Sequence, residues 1–156
     1  MTLYPKHIHH FSWATQISVD LPLGFEEAQE DLEQGTVIYA DDLDPDDETG
    51  GKVMTKLTVV PQDQDQAYVQ LAQATAPIVQ GELLDQKELV IDGAKAIQQI
   101  FTYYQQDAEI QVIRHETFAQ VGNLVFSILG IAPAEKKEEY LEIFDQASQS
   151  ARFILV

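Results

Sequence analysis

Hydrophobic side chains recur at every second position along most of this chain, the spacing of a half-buried β-strand rather than of a helix. In Thr15 to Leu21, Ile17, Val19 and Leu21 share one face while Gln16, Ser18 and Asp20 share the other, and Pro22-Leu23-Gly24 supplies a turn. Thr36 to Ala40 and Val53 to Val60 are dense in β-branched residues and read as two strands. Between them lies the acidic stretch Asp41 to Gly51, expected as a loop. From Asp63 the period changes. Ala67, Leu71 and Ala74 fall at helical spacing, so a helix is predicted over Asp65 to Ala76, with Asp63 or Asp65 as N-cap and Pro77 marking its end.

Extended runs then return at Gly81 to Ile91, Lys95 to Tyr104, Glu109 to Phe118 and Leu124 to Ile131, punctuated by Asp92-Gly93, Gln106-Asp107 and Gly122-Asn123. Asp-Gly between two such runs is a hairpin signal, because both turn positions favour positive φ. Pro133 suits the first turn of a last helix over Ala134 to Ser150, where Glu135, Glu138 and Glu139 complement the helix dipole. Tyr140, Leu141, Phe144 and Ala147 give that helix an apolar stripe. The order predicts an α+β fold: a twisted antiparallel sheet flanked by helices, with residues 1–13 irregular.

A chain of 156 residues, 45% of them hydrophobic, builds one ordinary core, so a single domain is expected. Acidic residues outnumber basic ones 26 to 9, a net charge of −17. That balance disfavours nucleic acid and membrane surfaces as partners, since both require a basic face. With no cysteine, disulfides, thiolate metal sites and cysteine nucleophiles are all excluded. No apolar run approaches the roughly 20 residues of a membrane span, and Met1 to Trp13 lacks the apolar stretch of a signal peptide. A cytoplasmic location is therefore expected.

Three groups could carry chemistry. His7, His9 and His10 have spacing compatible with zinc, copper or nickel, but no further ligand follows from the pattern, and a surface-histidine terminus is the simpler reading. Asp42, Asp44 and Asp46 open like a calcium loop, yet Asp47 stands where glycine is needed and Val53 where a bidentate glutamate is needed. His115, between Arg114 and Glu116, is expected on a polar outer face of its strand. No nucleophile elbow, phosphate-binding loop or dinucleotide fingerprint occurs, so no catalytic residue and no cofactor are expected. Among the aromatics, Phe25 and Phe101 read as core, whereas Trp13 and Tyr104 are the candidates for exposure and for anchoring a partner.

The order of these words resembles the Mog1/PsbP-like superfamily, and within it a group of bacterial domains of unknown function. The resemblance runs from Thr15 to Phe153. It rests on the Pro22-Leu23-Gly24-Phe25 turn, a helix after the third strand, and Ile91-Asp92-Gly93 followed by Ala96. The aromatic meander Phe101, Tyr103 and Tyr104, the Gly-Asn turn before Leu124-Val125-Phe126-Ser127-Ile128, and a last helix carrying Phe144 and ending near Ser150 and Phe153 complete it. Phe25 stands where the family more often has tryptophan. The superfamily includes a photosystem extrinsic protein and a nuclear-import factor, so the resemblance implies an α/β/α sandwich that binds other proteins and, as a rule, does not catalyse. The excess of negative charge directs that expectation toward a basic or charge-asymmetric partner whose binding weakens with salt. Two alternatives remain open: a small-ligand or metal-cation binder, and a dedicated, commonly dimeric chaperone of secreted effectors.

Overall fold

The computed structural model describes residues 3–8, 15–22, 26–31, 36–42, 52–61, 72–73, 81–106, 109–122 and 124–155, and the structural statements below concern these residues. Ten strands are present in chain order: β1 (Leu3–Ile8), β2 (Thr15–Pro22), β3 (Glu26–Asp31), β4 (Thr36–Asp42), β5 (Lys52–Pro61), β6 (Glu82–Ile91), β7 (Ala94–Gln105), β8 (Ile110–Val121), β9 (Leu124–Pro133) and β10 (Arg152–Leu155). A 3-10 turn (Ala134–Lys136) leads from β9 into helix α1 (Lys137–Gln149). The expected α+β class holds, with every strand pair antiparallel. The strands divide into two sheets, one of seven strands in the order β3-β4-β5-β9-β8-β7-β6 and one of three in the order β1-β2-β10.

Local chemistry explains the hairpins. Asp92 and Gly93 both adopt positive φ, +49° and +79°, and join β6 to β7 directly at the pair Ile91–Ala94, as a two-residue turn of this hand requires. Gly122, at φ +61°, begins the equally tight link from Val121 to Leu124. The β7–β8 hairpin closes with the Glu109 amide donating to the Gln106 carbonyl at 3.2 Å.

Pairing register assigns the two faces of the large sheet. Ala96, Gln98, Thr117, Ala119, Phe126 and Ile128 lie on one face, and Ile97, Gln99, Glu116, Phe118, Val125 and Ser127 on the other. The first face is covered by α1 and by the small sheet. Val19 of β2 packs in one core cluster with Ala119, Phe126, Ile128, Phe144 and Ala147. The second face meets Ala72, which packs with Ile97, Phe118 and Val125. Ala72 and Gln73 are helical and belong to the expected Asp65 to Ala76 helix, whose other residues lie outside the described set.

Helix α1 buries Tyr140, Ile143, Phe144, Ala147 and Ser148, at the i, i+3, i+4, i+7 and i+8 positions of one face. Ile143 and Ser148 complete the expected stripe, while Leu141 lies half-buried at its margin. Its C-terminus is tied into the small sheet: the Ser150 hydroxyl donates to the Ala147 carbonyl at 2.6 Å and accepts from the Asp20 amide of β2 at 2.8 Å. Across the molecule the Phe153 amide of β10 donates to the Asp92 carboxylate at 2.9 Å, so the β6–β7 turn also holds the small sheet. Phe126 and Phe153 face each other with ring centroids 5.0 Å apart.

Several expectations are corrected. The segment 1–13, expected to be irregular, contains β1, paired with β2 from Leu3–Pro22 to Ile8–Ile17. The acidic stretch expected as a loop begins inside β4, whose last residues Asp41 and Asp42 pair with Val53 and Lys52. β3, with the sequence Glu-Glu-Ala-Gln-Glu-Asp, and the four-residue β10 were not expected from alternation. Backbone pairing at a sheet edge does not require an apolar face, which is why those strands carry no such pattern. Among the described residues no helix is long and apolar enough to cross a membrane.

Gly130 of β9 sets how closely α1 approaches the sheet. A Cβ built there would collide with the Phe144 ring, so the helix rests where the sheet surface has no side chain. Gly130→Ala should therefore lower stability by about 2 kcal/mol, as overpacking of a filled core does. Adding Phe144→Leu should recover part of that loss in a double-mutant cycle read by urea denaturation. Additive losses would show that the two sites are not in contact.

Candidate interaction surface

The titratable groups of β8 alternate between the two covered faces, and each is committed to a structural partner. His115, expected on an outer face, is instead 1% exposed beneath α1, because helix and sheet close over that side of the strand. Its Nε2 lies 3.0 Å from Asp145 Oδ1 on the helix. Hydrogen bonding from His115 holds the Asp145 carboxyl below its ordinary range against the opposing effect of burial, and the charges of His115 and Lys87 and a hydrogen bond from Gln98 act in the same direction. An ionised carboxylate only accepts, so Nε2–H donates to it. Beside this pair, Gln98 Nε2 donates to Thr117 Oγ1 at 3.2 Å and Thr117 donates to Ser148 Oγ at 3.3 Å.

This gathers a histidine, an aspartate and two hydroxyls in one place, but not as a triad. Nucleophilic catalysis needs a hydroxyl on the ring nitrogen that the carboxylate leaves free. Here His115 Nδ1 has no hydrogen-bond partner, the Thr117 and Ser148 hydroxyls are bonded to each other, and all three residues are buried. The group fastens α1 to the sheet.

The opposite face of β8 carries Arg114 and Glu116. The guanidinium contacts one carboxylate oxygen through Nε at 3.0 Å and Nη2 at 2.6 Å. Desolvation pulls the Arg114 pKa down, but the charge and hydrogen bond of Glu116, aided by Tyr103, outweigh it and the net direction is upward. Gln99 extends the network. Its Nε2 donates to the Ala72 carbonyl at 2.8 Å, and its Oε1 accepts from Gln86 Nε2 at 3.1 Å, so the helical residues over this face are tied to the sheet.

The outward-facing chemistry lies elsewhere. β6 terminates the large sheet, and Glu82 to Glu88 are all exposed. Leu83 and Leu84 are 47% and 48% exposed, at the bulge between Leu83 and Asp85, and Val90 is 69% exposed near the far end of the strand. Tyr104, near the end of the adjacent strand β7, is 55% exposed, as its position had suggested, while Phe101 is buried. A depression of about 440 Å³ lies at the start of α1, but it is formed by the single segment Ala134 to Glu139 and collects no groups from elsewhere.

Of the remaining sequence candidates, two lie among the described residues. His7 lies in β1 opposite Ser18, and Asp42 ends β4 opposite Lys52. His9, His10, Trp13, Phe25, Asp44 and Asp46 lie outside the described residues. Among the described residues no group of three or more histidines and carboxylates could hold a metal ion. The exposed β6 edge escaped the sequence reading, although it had a signal. Asp85 and Lys87 point to one face and Gln86 and Glu88 to the other, a pattern that a strand covered on both faces would not tolerate.

No protein-family model matches the chain, and no curated protein matches it. Solved structures do. LpqN, involved in cell envelope biogenesis of Mycobacterium tuberculosis, is similar with a TM-score of 0.70 at 12% identity, over 97% of this chain and 91% of its own. Cyanobacterial PsbP from Synechocystis sp. PCC 6803 is similar with a TM-score of 0.61 at 10% identity, over 97% and 92% of the two chains. A mutant form of Mog1 gives 0.61 at 11% identity, over 96% and 95%. The chain therefore has the Mog1/PsbP-like fold.

Two outcomes follow from these pairs. Because the folded-state pKa of Asp145 is lowered, its contribution to stability is complete above the ordinary value near 3.8 and is lost as pH falls through the lower folded value. The advantage of the native chain over Asp145→Asn should accordingly narrow in denaturation series below about pH 4, and a constant difference would contradict the pairing. Glu116→Ala leaves a largely buried cation without its carboxylate and should cost about 3 kcal/mol, against a few tenths for the exposed Glu138→Ala. Equal losses would place Arg114 in solvent.

Proposed function

We propose that this chain is a non-enzymatic protein-binding or assembly module that engages its partner at the β6 edge and the neighbouring Tyr104. The observation that carries the reading is that, among the described residues, the exposed large aliphatics Leu83, Leu84 and Val90 all lie on β6, the edge strand of the large sheet. Large apolar side chains in contact with solvent are a common mark of a partner site. The polar groups of β8 favour the same reading, since His115 is bonded to Asp145 and Arg114 to Glu116 instead of lining an open pocket. The fold neighbours are compatible with it: one is described as involved in cell envelope biogenesis, and a Pseudomonas aeruginosa protein with a TM-score of 0.61 as a putative regulator.

A net charge of −17 supports a basic or charge-asymmetric partner. The effector-chaperone reading, and with it a place among the bacterial domains of the superfamily, asks for an exposed apolar sheet face. Among the residues whose burial is described, the exposed large aliphatics lie along an edge, which favours the general binding reading.

The test is site-specific photocrosslinking in extract of the source cells, with the photoreactive residue at Leu84, at Tyr104, or at the exposed control Glu138. The proposal expects one discrete adduct from positions 84 and 104, absent from position 138 and lost at high salt. Identical adduct patterns from all three positions, or none from positions 84 and 104, would overturn it.

A further inference from the structure

We infer that β6 takes its partner by strand addition, pairing with an extended segment that sets basic side chains opposite Asp85 and Glu88 and aliphatic ones opposite Leu89 and Val90. This rests on the binding reading above and specifies its chemistry.

Among the described residues there are four sheet edges, and one of them suits this role. β1 contains Pro5, which removes a backbone donor, and β10 spans only four residues. β3 offers no aliphatic residue larger than Ala28. β6 is ten residues long, pairs with β7 in unbroken register from Asp85 to Ile91, and among the described residues has no strand on its other side. An edge of this kind presents a row of amide and carbonyl groups to which another chain can bond.

The side chains define what would fit. Val90 is exposed and Leu89 half-buried, so an added strand gains apolar contact at that end. Glu82, Asp85 and Glu88 against the single Lys87 make the edge acidic, within a chain of net charge −17. Opposite charges across a strand pair contribute roughly 0.2–1 kcal/mol each, and like charges oppose pairing by similar amounts. A second copy in the register that sets Asp85 against Glu88 would oppose like charges, both copies carry the same net negative charge, and the bulge at Leu83 to Asp85 further disfavours self-pairing. The charge thus selects a basic segment over a second copy of this chain.

The probe is the capped peptide Thr-Val-Val-Lys-Gln-Thr-Lys-Val, written to run antiparallel to Ile91 through Leu84 so that lysines face Glu88 and Asp85. Binding to the full chain is measured by fluorescence anisotropy, with two further peptides N-methylated at odd or at even positions. A strand directs alternate N–H groups to opposite edges, so one methylated peptide should bind at least tenfold more weakly while the other stays within about threefold of the parent. The double variant D85K/E88K, at two exposed positions, should also weaken binding at least tenfold.

Equal sensitivity to the two methylation patterns would overturn strand addition in favour of side-chain attraction alone. Absence of binding would overturn the assigned segment chemistry. Sedimentation showing a dimer that D85K/E88K abolishes would assign the edge to a second copy. In each case a discrete crosslink from Leu84 would survive if only the mode of binding is wrong, and would vanish if the binding reading itself fails.

Discussion

The arrangement of this molecule depends on the contact of one aromatic ring with a position in the sheet that has no side chain. Phe144 rests on Gly130, and Gly130 pairs with His115 on β8. That contact sets the height of α1 above the sheet, which brings Asp145 to hydrogen-bonding distance of His115 and Ser148 to that of Thr117. From the helix the constraint passes through Ser150 to β2, and from β10 it returns through Phe153 to the Asp92 carboxylate in the β6–β7 turn. Two sheets and a helix are thus joined by polar ties placed where apolar packing has already fixed the spacing.

Such ties are needed because β8 and β7 carry polar residues on faces that are both covered. An unpaired buried polar group costs roughly 1–3 kcal/mol, and a buried charge without its partner costs more. Gln98, Gln99, Glu116 and Thr117 are each at most 2% exposed, and each is hydrogen-bonded to a neighbour across strands or layers. The polar residues in the core of the sheet therefore specify which element lies over which face. Their chemistry is used in that way and is closed to outside molecules.

What could be read in advance follows from the same physics. The hairpins at Asp92-Gly93 and Gly122 were legible because positive φ selects for particular residues at fixed positions, and α1 was legible because one face must be apolar at helical spacing. β1, β3 and β10 were not, since the backbone pairing that joins each to its neighbour leaves little mark on side-chain order. His115 was misplaced because alternation identifies which residues share a face and not which faces are covered. That depends on where α1 and the helix around Ala72 pack, a long-range property. The β6 edge fell between these cases: its charges on both faces were a usable sign, but only a topology with β6 outermost turns the sign into a surface.

The division between a locked centre and an open edge is the claim on which the functional reading rests. Native-state hydrogen exchange of the free protein tests it most directly, because amides that open locally separate from those released only by global unfolding. The account predicts that β8 and β9 amides exchange with the full unfolding free energy, while the outward amides of β6 between Asp85 and Ile91 exchange with far lower protection and without dependence on denaturant. Protection of all β6 amides at the level of β8 would show that the edge is already covered, and would contradict the account.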